Sequence, residues 1–357
     1  MSCMISIIIP AYNAEKTIER LIRSALSASD DKFHLEMIVV NDGSKDHTQE
    51  ICEGLQKQDE RLKILTIKNS GPGEARKCGL KAAKGDYVSF ADADDEIVMA
   101  GLKKMIAIAD GGKYDIICGN MWKTIGEKKI AVQTGIDSGE IVHDLQNPRY
   151  RNFRTGSLFG YTPGKLYRRE FLEKHNLWPD DHRIYYMEDS LFNLRVFTHK
   201  PSYYFINEFT YLYYQYDNSV SHTKDLQIVK RCCATIHKYG SCCKEQHCLE
   251  ENLDLLLPLI MRMFSWAVFQ HNALSAPASL KESRWAVKTF MKEPVFKELV
   301  EQRAYGSYLK TLPSKAQCLA FGFFFRQLNK GREKFTAFLF WAFHPLLKIV
   351  LENMAVR

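Results

Sequence analysis

The chain has 357 residues with a formal net charge of +7, and 46% of its residues are hydrophobic and 25% are charged. These are the proportions of a soluble globular protein of two or three domains. No window approaches the roughly 18 uncharged apolar residues of a membrane span. The ten cysteines belong to a sequence that opens without a basic secretory leader, so we expect cytosolic thiols rather than a disulfide framework.

Apolar runs alternate with helical spacings through the first part of the chain. They predict strands over residues 3–10, 35–40, 62–67, 87–91 and 114–118, and helices over 14–28, 46–58 and 74–83. This alternation is typical of an α/β fold with a doubly wound, mostly parallel sheet and helices on both faces. Residues 129–161 have weak periodicity and predict a loop-rich insertion. From residue 225 onward helical patterns interrupted by prolines predict a separate C-terminal region.

Three carboxylates follow the fourth predicted strand, at Asp92, Asp94 and Asp95. In open α/β sheets the carboxyl ends of the strands form the ligand-binding edge. Clustered carboxylates repel one another unless a cation lies between them. A hard divalent ion, Mn²⁺ or Mg²⁺, suits these oxygen ligands and can be shared with a substrate diphosphate. A plain polar loop after a strand is the alternative.

Polar residues follow the other strands at the same edge of the predicted sheet. The candidate ligand-facing residues there are Pro10, Tyr12, Asn13, Asp42, Asn69 and Arg76. Turns and helix caps would explain each group separately. A pocket for a charged, sugar-like or nucleotide-like ligand explains why the groups share one edge. No glycine-rich phosphate-binding fingerprint occurs, so a diphosphate would depend on a metal ion and arginine. That absence also weighs against a nucleotidyltransferase.

Six segments resemble, in order, the motifs of family 2 glycosyltransferases. The segments are residues 7–14 (IIIPAYNA), 39–46 (VVNDGSKD), 69–80 with Asn69 and Arg76, 92–95 (DADD), 164–168 (GKLYR) with Glu188-Asp189, and 211–221. The resemblance covers about residues 3–222. It implies a GT-A fold with a nucleotide-sugar half at 1–98 and an acceptor half at 99–222, followed by a helical region at 223–357.

The resemblance also implies roles for single residues. Asp42 would contact the nucleotide base, with Arg76 near the nucleotide and Pro10, Tyr12, Asn13, Asn69 and Ala93 completing the donor site. Asp92 would bind ribose or the metal, and Asp94 would ligate the metal. Asp189 would be the general base of an inverting displacement, and Glu188 would orient or tune it. A late histidine, His222, is a candidate to close over the metal, with an ordinary surface histidine as the alternative.

Two positions depart from the family pattern. Lys77 stands where an asparagine usually follows the Ala-Arg pair, and Gln215 stands where many members have an arginine. If that arginine steadies a diphosphate, this protein must use another cation or bind the diphosphate less tightly.

The tail carries most of the net charge. Residues 301–357 contain nine Lys or Arg against three Glu, a net +6, interleaved with aromatic residues. Residues 316–350 fit an amphipathic anchor on an anionic leaflet. Packing against the catalytic domain and a homo-oligomer interface are the alternatives. No nucleic-acid-binding module is recognisable, so we expect no nucleic-acid partner.

Five cysteines lie close together in the sequence, at Cys232, Cys233, Cys242, Cys243 and Cys248. Adjacent cysteine pairs in a helical pattern do not match the spacing of structural zinc sites, so buried or free thiols are favoured over zinc.

We therefore expect an inverting enzyme that transfers a sugar from a UDP-sugar to a glycan or lipid-linked glycan of a bacterial envelope. The expected location is the cytoplasm, on the inner face of the membrane if the tail binds lipid. A scaffold protein that keeps the fold and binds nucleotide sugars without turnover is the rival hypothesis. The presence of Asp92, Asp94 and Asp189 argues against it.

Overall fold

The computed structural model describes residues 3–26, 34–155, 157–215, 227–253, 255–256, 259–260, 263–264, 267, 279–302, 305–309 and 315–343. The chain forms two compact units. One unit comprises Met1–Arg183 and Met187–Asp217, and the other comprises Ile184–Tyr186 and Asn218–Arg357.

The first half of the first unit is a parallel sheet. Its strands are β1 (Met4–Ala11), β2 (His34–Asn41), β3 (Leu62–Thr66) and β4 (Tyr87–Phe90), in the order β3-β2-β1-β4. The helices between them are α1 (Ile18–Leu26), α2 (Thr48–Gln56) and α3 (Pro72–Ala82). The predicted strand–helix alternation is confirmed here, with boundaries that differ by a few residues.

Close packing of α3 on β1 explains why a glycine stands at position 79. All of β1 is buried except Met4, as expected for a central parallel strand covered on both faces. A Cβ atom added to Gly79 of α3 would lie 2.4 Å from the Ile8 side chain. The helix approaches the strand this closely because Gly79 has no side chain.

The second half of the sheet is mixed rather than parallel. It contains β5 (Glu96–Ile97), β6 (Ile116–Ile125), β7 (Lys128–Val132), β8 (Gly139–Ile141), β9 (Lys165–Arg168) and β10 (Tyr203–Gln215). The short β9 runs antiparallel to both β4 and β6 and so joins the two halves. β10 runs parallel to β6. The overall α/β fold is as predicted, but the antiparallel strand is not visible in the strand–helix alternation.

The helices of this half are α4 (Met99–Ala109), α5 (Pro148–Thr155), α6 (Arg169–Lys174) and α7 (Glu188–Thr198), with a 3₁₀ turn at Ser157–Gly160. The prediction of a loop-rich insertion at 129–161 is wrong in part, because β8, α5 and all of β7 except its first residue lie within it. β7 is a short exposed edge strand, and such strands carry little of the apolar alternation that sequence patterns detect.

The second unit is helical. Its helices are α8 (Ile228–Glu245), α9 (Leu280–Lys292), α10 (Pro294–Glu301), α11 (Tyr305–Leu309), α12 (Lys315–Asn329) and α13 (Glu333–Ala342). Phe264 lies at the centre, with its ring 5.1 to 6.4 Å from those of Phe290, Phe296, Phe325 and Phe340. Among the described residues, no helix is both long and apolar enough to cross a membrane. The predicted helical C-terminal region is confirmed, whereas the predicted boundary at residue 222 lies outside the described residues.

Candidate active site

Asp42 follows β2 and holds the turn that begins α3. Its carboxylate accepts hydrogen bonds from the amides of Ser70 (2.6 Å) and Gly71 (2.7 Å), and the residue is 3% exposed. Gly71 has φ +88°, and a Cβ there would meet the His182 ring at 2.7 Å. Asp42 therefore shapes the loop after β3, while its predicted contact with a nucleotide base stays a prediction.

The loop after β1 is tied to the loop after β2. The Asn13 amide donates to Ser44 Oγ (3.0 Å), and Asn13 Oδ1 accepts from the Lys45 amide (2.9 Å). Pro10 is buried in β1, whereas the ring of Tyr12 is 48% exposed at the end of that strand. Tyr12 is thus available to a ligand at this edge of the sheet.

Asn69 and Ala93, both predicted to line the nucleotide-sugar site, differ in solvent exposure. Asn69 is exposed and follows β3, whereas Ala93 is nearly buried in the loop after β4. Asn69 can therefore reach a ligand with its side chain. Ala93 can offer a ligand little more than its backbone.

Arg76 of α3 joins the two predicted halves of the site. Its Nη2 lies 2.8 Å from Asp92 Oδ1, and its Nη1 lies 3.2 Å from Asp189 Oδ1. The arginine side chain is 6% exposed, and the two carboxylate side chains are 29% and 30% exposed. Burial opposes the charge of Arg76, but the charges of Asp189 and Asp92 more than compensate and raise its pKa. The guanidinium therefore stays charged and holds both carboxylates.

Asp189 lies in the first turn of α7, next to Glu188. The residue before the helix, Met187, has φ 57° and ψ 49°, a left-handed conformation that is uncommon outside glycine. The positive end of the helix dipole favours carboxylates at this position. Burial nevertheless raises the pKa of Asp189, although the charge of Arg76 acts in the opposite direction. Burial, together with the charge of Asp189, raises the pKa of Glu188 to about 7.

Asp95 ties the aspartate loop to β10 and is fully buried. Its carboxylate accepts hydrogen bonds from the Tyr211 hydroxyl and the Tyr214 amide, both at 2.8 Å. The Tyr211 oxygen in turn accepts from the Asp92 amide (2.9 Å). Burial, with the charge of Asp92, raises the pKa of Asp95 to about 9. The third carboxylate is therefore a structural group that fixes the loop carrying Asp92 and Asp94.

Arg20 of α1 is a site residue that the sequence motifs did not single out. Its guanidinium donates to the Asp94 carbonyl, lies 3.2 Å from Glu96 and stacks 4.0 Å from the Tyr214 ring centre. The only sequence signal is an arginine on the helix that follows β1. Nothing in that pattern shows that the side chain reaches the aspartate loop.

The carboxylates of Asp92 and Asp94 fit a divalent cation. Burial is the main cause that raises the pKa of Asp94, and the charge of Asp92 adds to it. A cation would relieve the like-charge part of this effect. The described residues contain no group of three or more His, Cys, Asp or Glu able to hold a metal ion. A cation here would thus depend on these two carboxylates and on substrate oxygens, as Mg²⁺ commonly does. His222 lies outside the described residues.

The two departures from the family pattern have different surroundings. Lys77 is partly exposed, with Nζ 3.8 Å from Glu74. Gln215 ends β10, and its side-chain oxygen is buried and has no hydrogen-bond partner within the described part of the chain. The neutral amide at 215 supplies no cation for a diphosphate.

The clustered cysteines lie in and just after α8 as free thiols. Burial raises the pKa of Cys233 to about 12. Among the residues the structure describes, these thiols do not form a metal-binding group.

Residues 6–175 match the family model for glycosyl transferase family 2. These residues form a family 2 glycosyltransferase domain. The chain is 31% identical to the uncharacterized glycosyltransferase EpsJ of Bacillus subtilis over 61% of this chain and 63% of EpsJ. It is 25% identical to the putative glycosyltransferase EpsH of the same organism over 88% of this chain and 90% of EpsH. The chain thus spans less than two thirds of EpsJ.

Staphylococcus aureus TarS, a poly(ribitol-phosphate) β-N-acetylglucosaminyltransferase, is 29% identical over 54% of this chain and 32% of TarS. The crystal structure of TarS residues 1–349 in complex with UDP-GlcNAc superimposes with a TM-score of 0.68. That superposition covers 94% of this chain and 91% of the TarS chain at 19% identity. It confirms the GT-A fold with its helical C-terminal region.

Replacing Arg76 with Gln should raise the pKa of Asp189 further. The change removes a positive charge that favours the ionised carboxylate, so the carboxylate would take up a proton at higher pH. A ¹³C NMR titration of the Asp189 carboxyl carbon, assigned by comparison with Asp189→Asn, would measure this. Arg23→Gln, which removes an exposed arginine paired with Glu19, is the control. An Asp189 pKa that falls or stays constant in Arg76→Gln would contradict the ion-pair argument.

Proposed function

We propose that this protein is an inverting glycosyltransferase that moves a sugar from a UDP-sugar to a glycan or lipid-linked glycan, with Asp189 as the general base. The observation that carries the proposal is the bridge from Asp92 through Arg76 to Asp189. It brings the carboxylate after β4 and the carboxylate that begins α7 to one buried cation. A donor held at the first and an acceptor hydroxyl at the second would meet at this point.

The family and the residues of the site support the proposed donor class. TarS, which shares the fold, has been crystallised with UDP-GlcNAc, and we extend that donor class, an N-acetylhexosamine linked to UDP, to this chain. Tyr12 and Asn69 offer exposed side chains at the edge where Asp42 fixes the loop. Arg76 lies beside Asp92, where the ribose and diphosphate would bind.

A Mn²⁺ or Mg²⁺ ion would be held by Asp94 and Asp92. When bound, it supplies Lewis-acid stabilisation of the charge on the departing diphosphate. The chain's own contribution is to keep Asp94 in place through the Arg20 contact to its carbonyl. Asp95 and Tyr211 fix the loop from the other side.

The chemical step needs a base on the acceptor side. The acceptor oxygen forms the new bond to the anomeric carbon as the bond from that carbon to the diphosphate oxygen breaks. The electron pair of the broken bond leaves with UDP, and the hydroxyl proton passes to Asp189. Attack from the face opposite the leaving group inverts the anomeric centre. Glu188, whose pKa is near neutrality, is placed to tune the charge of the base.

The acceptor is proposed from the relatives rather than from a bound ligand. TarS is described as acting on poly(ribitol-phosphate), a polymer built from repeating units. We propose an acceptor glycan of the bacterial envelope and action on the cytoplasmic side of the membrane. The rival, a nucleotide-sugar-binding scaffold without turnover, predicts binding of UDP-sugar with no release of UDP.

Asp189→Asn should lower transfer by roughly 10²-fold or more, the usual effect of losing a general base, while donor affinity stays close to that of the wild type. The amide has nearly the same shape but does not take up the proton. UDP release with a glycan acceptor panel measures transfer, and calorimetry measures donor binding. The exposed Asp137 provides a control, Asp137→Asn. Wild-type turnover by Asp189→Asn would rule out this base.

Asp94→Ala should weaken UDP binding at least tenfold in the presence of Mn²⁺, because Asp94 would hold the ion that offsets the charge of the diphosphate. EDTA should weaken UDP binding to the wild type by a similar factor and should have little further effect on the variant. Titration calorimetry measures both. Glu53→Ala, a change at an exposed carboxylate of α2, is the control. Unchanged UDP affinity of the wild type in EDTA would contradict a metal-bridged donor.

The aromatic residues of the C-terminal tail fall into a buried set and an exposed set. Phe321, Phe324, Phe325 and Phe340 are buried, whereas Phe323, Phe335, Phe338 and Trp341 are 40–43% exposed. Phe325 of α12 and Phe340 of α13 both contact Phe264. The two helices therefore turn their buried faces to one residue and their exposed faces away from it. Deleting residues 316–357 would open this core, so point substitutions are the suitable test.

We propose that the exposed side of α12 and α13 binds to an anionic lipid surface. Leu319, Phe323, Phe338 and Trp341 form its apolar part. The basic part comprises three exposed residues, Arg326 on α12, Lys330 directly after α12 and Lys334 on α13. Aromatic side chains beside basic ones suit the interface of an anionic leaflet. The shared positive charge disfavours pairing with a second copy of the same surface.

Replacing Phe323, Phe338 and Trp341 together with Ser should reduce binding to vesicles of phosphatidylcholine and phosphatidylglycerol at every salt concentration. Replacing Arg326, Lys330 and Lys334 with Gln should reduce binding at least tenfold at low salt and little at high salt, since each basic residue contributes about 1 kcal/mol that salt screens. Flotation assays measure binding. Trp285→Ser, at a 39% exposed tryptophan of α9, is the control. Unchanged flotation with a shift in sedimentation would identify an oligomer interface instead.

A further inference from the structure

One face of the hairpin formed by β6 and β7 is continuous with the candidate active site. The pairing of β10 with β6 and of β6 with β7 is regular from Tyr211 to Gln215, so paired side chains share a face. Six residues beyond Tyr211 share its face and are called the hairpin strip here: Tyr213, Lys123, Ile130, Gln215, Ile125 and Lys128. We propose that this strip binds a lipid-linked sugar as the acceptor, which rests on the proposed function.

Tyr211 identifies the face that is turned toward the aspartate loop. Its hydroxyl donates to the Asp95 carboxylate (2.8 Å) and accepts from the Asp92 amide (2.9 Å). Asp92 pairs with Arg76, the arginine that also contacts the proposed base. Tyr213 is two residues further along β10, so its side chain lies on the same face as that of Tyr211. The hairpin strip therefore begins beside the place where the donor and the base would meet.

Tyr213 forms an aromatic pair with Tyr161. The two ring centroids are 6.3 Å apart, and the ring planes are inclined by 49°. Tyr161 directly follows Gly160, whose carbonyl accepts a hydrogen bond from the Asn193 side chain of α7 (3.3 Å). One ring thus belongs to the segment bonded to the helix of the proposed base, and the other belongs to the strand bonded to the aspartate loop. Rings that combine an apolar body with a hydroxyl suit the sugar of an acceptor.

Exposure increases along the strip with distance from the site. Tyr211 and its partner Met121 are each 2% exposed. Successive side chains on one face of a strand are about 7 Å apart, so each further row lies about that much farther out. Tyr213 and Lys123 are partly exposed, and the outer residues Ile130, Ile125 and Lys128 are exposed. The strip therefore leads from the reaction centre into solvent.

The strip places a basic residue beside an apolar one twice. Lys123 pairs with Ile130, and Lys128 pairs with Ile125, and none of the six residues is acidic. Lysines protect an edge strand such as β7 from pairing with other chains, but that role does not account for Lys123 on β6 or for two exposed isoleucines.

The mixture of charges and apolar surface favours one class of acceptor. A neutral glycan would use neither the lysines nor the isoleucines, and an anionic glycan would leave the isoleucines in water. A phosphate group joined to an apolar chain uses both kinds of residue. With the sugar at Tyr213, the phosphate would lie over the lysines and the chain over the isoleucines.

Two neighbouring lysines on opposite faces of β7 provide a matched pair of variants. Lys128 pairs with Ile125 on the strip, whereas Lys129 pairs with Thr124 on the other face, where its Nζ lies 4.8 Å from the centre of the Trp122 ring. Both lysines are exposed. Lys128→Gln and Lys129→Gln each remove one positive charge from the same strand, so only the face of the sheet distinguishes them.

The probe for the strip is N-acetylglucosamine joined through a diphosphate to a decyl chain, used below its micelle concentration with saturating UDP. Its truncated forms are decyl N-acetylglucosaminide and N-acetylglucosamine 1-phosphate. In titration calorimetry the wild type should bind the full probe roughly tenfold or more tightly than either truncated form. Lys128→Gln should weaken binding of the full probe roughly fivefold, and Lys129→Gln should change it by less than about twofold.

The apolar part of the strip is tested by changing Ile125 and Ile130 together to Thr. Threonine keeps the β-branched shape that suits a strand and removes apolar surface. Binding of the full probe should fall roughly tenfold, while binding of N-acetylglucosamine 1-phosphate should not change. Both isoleucines are exposed, so the melting temperature should stay close to that of the wild type.

The results separate this proposal from the assignment of the base. Equal affinity of the wild type for the full probe and its truncated forms overturns the proposal, as do equal losses in Lys128→Gln and Lys129→Gln. Competition between UDP and the probe also overturns it, because the probe would then occupy the donor site. None of these measurements involves turnover, so the role of Asp189 is decided independently by UDP release from Asp189→Asn.

Discussion

A buried guanidinium shared by two carboxylates is the interaction on which the site depends. Arg76 is almost fully buried, and its charge is balanced by Asp92 on one side and Asp189 on the other. Breaking a buried pair by removing one partner leaves an uncompensated charge, which costs about 3–5 kcal/mol. The three side chains therefore stabilise one another, and Arg76 keeps one carboxylate partner when the other is replaced. The same requirement fixes how far the end of β4 can lie from the start of α7.

A change in strand direction brings the end of β4 close to the start of α7. The first four strands are parallel and bring their carboxyl ends to one edge, which gathers Asp42 and Asp92. The antiparallel β9 then joins the two halves of the sheet. Its reversal places the segment containing Thr162 against α7, where Asn193 connects them. A purely parallel continuation would have put a crossover helix at this place.

In the helical unit, helix periodicity places some aromatic side chains in the core and others on the surface. On α12 the buried Phe321, Phe324 and Phe325 alternate with the exposed Phe323, and the same division occurs on α13. A single aromatic-rich stretch can therefore supply both a core and an exposed apolar surface. Composition shows that the aromatic residues are there, but the contacts with Phe264 decide which of them are available to a partner.

The sequence alone determined the α/β alternation, the helical tail and the strand-end positions of Asp42, Asp92 and Asp94, because these follow from local patterns of polarity. It also supplied the family motifs that marked Arg76 and Asp189 separately. Only the tertiary structure decided that Arg76 pairs with Asp189, 113 residues away, that Asp95 is structural, and that Asn193 of α7 donates to the Gly160 carbonyl. These are side-chain contacts between distant elements. They depend on the antiparallel β9 and on the orientation of α7, neither of which leaves a periodic signal in the chain.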